Sequence, residues 1–182
     1  KILYQLELDA RQSYSQMAKK TRLSKEVVKY RIDKLKEKGI INKFVLMING
    51  PKLGYSAHKL YLKLRNISQK ELIEMINDLK ENENIIWIAT CYGKYDLIIG
   101  TLAKDYYEAF NINNQIQKNF QKFIHESTPL NHIDVRHQKR TYLVDKKRTD
   151  KYSPFWGGKT QNYRLDKYEK VILSKLCEDA RK

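Results

Sequence analysis

A chain of 182 residues can hold one large domain or two small ones, and a hydrophobic content of 41% excludes a wholly disordered polymer. The net charge of +15 is uneven: residues 1–50 carry twelve basic against five acidic residues, while 51–144, 145–164 and 165–182 carry +3, +4 and +1. Two distant cysteines, Cys91 and Cys177, exclude a disulfide framework or a thiolate zinc site, and no run of about 18 apolar residues spans a membrane.

The basic excess on the first segment and one later stretch is the profile of a polyanion-binding module joined to a near-neutral partner. The opening, KILYQLELDAR, is amphipathic rather than signal-like. A soluble cytoplasmic protein is therefore expected, with no metal and no cofactor.

Ile2, Leu3, Leu6 and Ala10 recur at helical spacing, so residues 1–11 read as an amphipathic helix. It has no capping residue before it, and the chain is expected to begin inside a helix whose first turn is missing. Ser13 caps a second helix that turns Tyr14, Met17 and Ala18 inward. Thr21-Arg22-Leu23 is the turn, with Leu23 as its plug, and Ser24 caps a third helix running to Lys38. Val28, Ile32 and Leu35 form the inner stripe of that helix, and Gly39 stops it. Its outer face presents Lys25, Glu26, Lys29, Tyr30, Asp33 and Lys36, with Arg31 and Lys34 at the edges. Such a helix fits a DNA major groove, a reading preferred to that of a plain basic surface helix because three short helical patterns arrive in the right order. IINKFVLMI then reads as a strand, and NGPKLG as the turn and connector that close a winged helix-turn-helix over 1–50.

From Ser56 the period changes to two. AHKLYLKLRN alternates Leu60, Leu62 and Leu64 against Lys59, Tyr61 and Lys63, a strand with one buried face. Ser68 caps a helix with Leu72, Ile73, Ile76 and Leu79 on its stripe. IIWIATCY and YDLIIGTLA make a hairpin of two central strands about Gly93-Lys94. The helix DYYEAFNINNQIQKNFQKFI turns Tyr107, Phe110, Ile112, Ile116, Phe120 and Phe123 inward, and NHIDVRHQKRTYLV is the last strand. The order β-α-β-β-α-β over 51–144 predicts a ferredoxin-like α+β domain.

Residues 145–163 read as a linker, although Phe155 and Trp156 are apolar enough to dock on a neighbouring surface. Residues 164–182 turn helical again. An ungapped overlay at an offset of 170 places Ile172, Leu173, Leu176, Asp179, Ala180 and Arg181 on Ile2, Leu3, Leu6, Asp9, Ala10 and Arg11. That echo predicts a unit of about 170 residues followed by the first helix of a second winged helix, as in a tandem array.

ILYQLELDAR, LSKEVVKYRIDKLKEKGII, Gly54-Tyr55 before the first sheet strand and Gly93-Lys94-Tyr95-Asp96 before an apolar strand together resemble the Lrp/AsnC family of feast/famine regulators. The resemblance covers nearly the whole chain. It implies a transcription regulator that binds double-stranded DNA, dimerises through its sheet domain and responds to an amino acid. By that resemblance Ser24, Lys25, Glu26, Lys29, Tyr30, Arg31 and Lys34 lie on the DNA-binding helix. Thr90, Gly93, Tyr95, Asp96 and Thr101 match the effector region, where Asp96 would take an α-amino group and amides near Gly93 a carboxylate. The ordinary alternative is that Gly93 makes the turn and Asp96 caps its own backbone. The tandem arrangement departs from the family and leaves a homo-oligomer and an internal pseudo-dimer both open. A second function on this scaffold, decarboxylation of a tetrapyrrole or metabolite binding, would draw on His58, His125, His132 and His137 with Arg136 and Arg140. A chromatin protein that coats DNA is a third.

Overall fold

A computed structural model describes residues 1–136, 144 and 155–181. In chain order the elements are α1 (Ile2–Leu8), α2 (Tyr14–Thr21), α3 (Lys25–Glu37), a 3-10 turn (Gly50–Leu53), β1 (Ser56–Leu64) and α4 (Gln69–Lys80). There follow β2 (Ile85–Thr90), β3 (Leu97–Ala103), α5 (Tyr106–Asn119), β4 (Ile124–His132), β5 (Asp134–Arg136), β6 (Phe155–Gly157) and α6 (Lys167–Glu178). They divide into two compact units, Lys1–Ile48, Arg136–Phe155 and Leu165–Lys182 in the first, Asn49–Val135 and Trp156–Arg164 in the second.

In the first unit, three short helices close around Met17, Val28 and Ile32, each fully buried, with Ile2, Leu6, Ala18, Phe44 and Ala180 around them. Burial of each of the three stabilises the unit by roughly 1.5–3 kcal/mol. Local signals set the helix ends. The Ser13 hydroxyl accepts from the Gln16 amide while the Gln16 side chain accepts from the Ser13 amide, a reciprocal cap. At the far end of α3, Gly39 takes φ +67°, its amide donates to Lys36 O, and the Ile40 amide donates to Leu35 O. That pairing satisfies carbonyls the helix leaves open. Gln12, buried between α1 and α2, donates to the carbonyls of Gln5 and Asp9 and accepts from Lys20.

Residues 40–49 carry no strand ladder among the described residues, which corrects the expected wing strand. The segment is held by burial of Phe44 and by the Ala180 amide donating to Phe44 O at 3.0 Å.

The second unit is a four-stranded antiparallel sheet in the order β2-β3-β1-β4. Leu60 and Leu62 of β1 and Leu97, Ile99 and Ala103 of β3 face Met75 and Leu79 of α4 and Ala109, Ile112 and Ile116 of α5. Of the hairpin strands expected to be central, only β3 is; β2 is an edge. The last strand begins at Ile124, not Asn131, and α5 ends at Asn119, so the expected helix overran and the expected strand started late. β4 tolerates Pro129 because it is the other edge, with no outer neighbour among the described residues to need the missing amide. Tyr107 and Phe110, expected inside, are exposed, and Ala109 and Asn113 take the inner face. On α4 the inner residue is Met75, while Ile73 is exposed.

The stretch expected as a linker is described from Phe155 onward, and its earlier part lies outside the described residues. Trp156 is buried, with its ring 5.7 Å from His132, and β6 pairs with β5 in a separate two-stranded sheet. The Asn49 side chain donates to Gly157 O and accepts from Gly157 N, and the Gln161 amide donates to Pro51 O. Gly157 has φ +116°, and a Cβ there would lie 2.4 Å from Ile133 O. Among the described residues no helix is long and apolar enough to cross a membrane.

Candidate nucleic-acid interface

α3 carries the basic face, and its start is built by Ser24, whose hydroxyl accepts from the Val27 amide at 3.2 Å. That hydroxyl is a structural cap first, and the side chains after it are the ones free to reach outward. Val28 and Ile32 alone on α3 are buried, and Lys25, Glu26, Lys29, Tyr30, Arg31 and Lys34 are all exposed. The helix is about 20 Å long at 1.5 Å per residue, the size of element a major groove admits.

Two of these side chains are already organised. The backbone amide of Glu26 and the Ser24 hydroxyl hold the Glu26 carboxyl below its ordinary value. Glu37 lies 2.6 Å from Lys34 Nζ and, through that hydrogen bond, holds the ammonium above its usual range. Lys34 also stands 5.9 Å from the centre of the Tyr30 ring, which is 62% exposed. The result is an aromatic ring flanked by cations on an exposed face, chemistry suited to phosphates and base edges.

The sheet-turn residues do not gather in one place. Gly93 turns the hairpin at φ +119°, with open space where a Cβ would stand. Asp96 is engaged by the protein itself: Oδ2 accepts from the Leu64 amide at 2.8 Å and Oδ1 from Lys63 Nζ at 3.1 Å. Against the penalty of burial, the Leu64 amide and the Lys63 ammonium hold its carboxyl below the ordinary range. The Tyr95 hydroxyl lies 3.0 Å from Thr128 Oγ1, and its ring is 5.3 Å from Tyr61 and 5.0 Å from Lys94 Nζ. Thr90 ends β2 beside this turn, opposite Leu97. Thr101 is apart from the other four: it is 1% exposed, pairs with His58 and shares the helix-facing side of β3 with Leu97, Ile99 and Ala103. Alternation alone carried the information that separates it, since positions 97, 99, 101 and 103 fall on one face.

The histidines of the second reading are spread out. His58 is buried, with Nδ1 3.1 Å from Asn131 Oδ1, Nε2 2.7 Å from Ser56 Oγ and its ring edge-on to Tyr106. His125 is exposed near one end of β4, and His132 lies tilted against the Trp156 ring at the other. Arg136 ends β5, and His137 and Arg140 lie outside the described residues. Among the described residues no three His, Cys, Asp or Glu side chains come together as a metal ion would need.

Comparison with known proteins places these features. A profile described as winged helix-turn-helix DNA-binding matches residues 1–42. The HTH-type transcriptional regulator Ptr1 of Methanocaldococcus jannaschii is 32% identical over 108 residues, 58% of this chain and 70% of that one. The HTH-type transcriptional regulator LrpA of Pyrococcus horikoshii is 33% identical over 104 residues, 57% and 72% of the two chains. Among solved structures, Escherichia coli AsnC superposes with a TM-score of 0.60 at 21% identity, covering 72% of this chain and 87% of its own. A feast or famine regulatory protein from M. tuberculosis, solved in complex with L-methionine, gives 0.65 at 14% identity, covering 76% and 92%. These two solved structures share the fold.

Proposed function

The chain belongs to the Lrp/AsnC-type family of helix-turn-helix transcription regulators, and from that premise we propose that it reads duplex DNA by sequence through the exposed face of α3. It is a DNA-binding transcription regulator; the assignment of Ser24, Lys25, Glu26, Lys29, Tyr30, Arg31 and Lys34 to the reading surface is our own. The observation that carries it is that α3 buries only Val28 and Ile32 and leaves five cations, Lys25, Lys29, Arg31, Lys34 and Lys36, exposed together with Glu26 and Tyr30. Ser24 positions the helix, the cations hold phosphates, and Tyr30 and Glu26 touch base edges. If Lys25, Lys29, Arg31 and Lys34 each neutralise a phosphate, affinity falls about 150-fold between ~50 and ~200 mM salt, at a slope of about −0.9 per phosphate. Equilibrium binding to a duplex at the two salt concentrations tests this, and absence of binding at the lower one refutes it.

We further infer that the sheet unit takes an amino-acid effector beside the β2–β3 turn. The M. tuberculosis relative was solved with L-methionine. In this chain Gly93 leaves open space where a Cβ would stand, Tyr95 lies two residues on, and Thr90 ends β2 opposite Leu97. Asp96 keeps a second lone pair on each oxygen for an α-amino group. Thr101 acts from the core, by shaping the strand. Titration calorimetry with L-methionine is the measurement: binding that weakens in Asp96→Ala supports the reading, and the absence of any heat change removes it. The face of the sheet away from the helices, with Tyr61 and Trp87, is the surface we assign to pairing of like chains.

We read residues 165–182 as the opening of a second unit, and two observations support that beyond the sequence echo. α1 and α6 end alike: Asp9 and Asp179 take φ/ψ of −160°/104° and −155°/113°, and each carboxylate accepts from the amide two residues on. Ile172 is 57% exposed although its counterpart Ile2 is buried, so α6 carries an inner stripe with no helices of its own against it. The reading stands if the encoding polypeptide repeats residues 12–48 after the second Asp-Ala-Arg, and fails if it does not.

A further inference from the structure

The contacts that hold α6 in the first unit come from its tail rather than from its stripe. No residue of α6 itself is buried, yet Ala180, just beyond it, is 5% exposed and belongs to the core of the first unit. Its amide donates to Phe44 O at 3.0 Å. Arg181 reaches across: a guanidinium N–H donates to Ala10 O, and its carbon stands 4.8 Å from the Tyr14 ring and 5.5 Å from the Phe44 ring. Lys36 Nζ lies 5.2 Å from the same Phe44 ring, which is thus bracketed by two cations. A methyl group, a backbone hydrogen bond and a guanidinium between two aromatic rings make a fitted seat for the segment Asp179-Ala180-Arg181.

The first unit carries the same segment as Asp9-Ala10-Arg11, with the same turn at its aspartate, and Arg11 is exposed. Ala10 itself lends its carbonyl to the seat, so plug and seat adjoin on one surface. Surfaces in which a residue and its own counterpart meet are those of two-fold pairing, where every contact is made twice. We infer that the Ala10–Tyr14–Phe44 surface is where two winged-helix units pair, each inserting its Asp-Ala-Arg arginine between the aromatics of the other. The partner is the unit that α6 opens, on the same polypeptide, and the inference rests on that reading of residues 165–182. The pairing leaves the stripe of α6 free to close its own three-helix core. It also ties two reading helices into one body, which binds two half-sites at a fixed spacing.

The test uses the 182-residue chain with Cys91→Ser and a spin label on Cys177, which is exposed. In the labelled protein the amide signals of Ala10, Tyr14 and Phe44 should be broadened severalfold relative to the same protein with its label reduced. Arg181→Ala should restore them, while Arg181→Lys, which keeps the charge, restores them in part. If the signals are unbroadened with Arg181 present, the seat is empty and the pairing is wrong, whatever the encoding polypeptide holds beyond it. If broadening also appears when isotope-labelled chains carrying no spin label are mixed with spin-labelled unenriched ones, the arginine comes from a second copy, and the intrachain partner is overturned. Arg181→Ala leaving the broadening intact would remove the arginine as the plug.

Discussion

His58 sits on the helix-facing side of β1, hydrogen-bonded to Ser56 and Asn131 and buried beneath Tyr106. Burial lowers its pKa below the ordinary value despite the Asn131 bond. The unfolded chain therefore takes up a proton at a higher pH than the native protein does. The stability this group contributes is complete above its unfolded pKa of about 6.5 and is lost as pH falls through that value toward the lowered native one, by at most about 1.4 kcal/mol per pH unit. His132 is shifted the same way by burial and by Lys59, so the variant comparison isolates His58. Urea midpoints at pH 7.5 and 5.5 should differ less in His58→Gln than in the parent, and parallel losses would show that His58 does not titrate on unfolding. Nothing in the sequence flagged His58 as buried beyond its even-numbered place with Leu60 and Leu62. Its partner Asn131 is 73 residues away, and only the β1–β4 register brings the two together. Gly100 was equally illegible: a Cβ there would lie 2.3 Å from the Trp87 ring nitrogen, a contact made across strands.

At the scale of elements, the helices were legible where short-range chemistry fixes them. Ser13, Ser24 and Ser68 cap helices from within four residues, and Gly39 ends α3 by its own backbone. What failed were features set by the sheet. The end of α5 and the start of β4 follow from Ile124 pairing with Leu64, not from periodicity, and Pro129 disguised the strand. Met75 was passed over for Ile73 because both fit an apolar stripe, and only the neighbouring sheet selects between them. On α3 the division of labour is testable. Lys29→Ala should weaken duplex binding uniformly across sequences and reduce the salt slope by about 1, while Tyr30→Ala should weaken it in a sequence-dependent way by ~1–3 kcal/mol. Both side chains are exposed, so the melting temperature should not move. Unchanged affinity in the double variant would place the reading surface elsewhere.

For the whole molecule, the proposed function requires that an event at the sheet turn be felt at a reading helix built on a different core. Such coupling is a free energy shared by the two sites, commonly 5–150-fold in affinity, and it acts equally in both directions. L-methionine at saturation should therefore change duplex affinity, and the duplex should change methionine affinity by the same factor. A methionine-independent duplex affinity would confine any bound amino acid to a structural part. The candidate site was only partly legible at this scale. The Gly93–Asp96 turn stood out in the sequence, whereas the use of Asp96 as a clasp for Leu64 and Lys63 depends on β1 lying beside it.

The Asn49–Gly157 pair of hydrogen bonds has a topological consequence. These residues open the two segments of the sheet unit, 108 positions apart in sequence and one side chain apart in space. The pair thus clasps Asn49–Val135 to Trp156–Arg164, so that the sheet unit is closed by its second segment rather than by its sheet ladders alone. A tension that separates the two segments falls on two hydrogen bonds of one side chain.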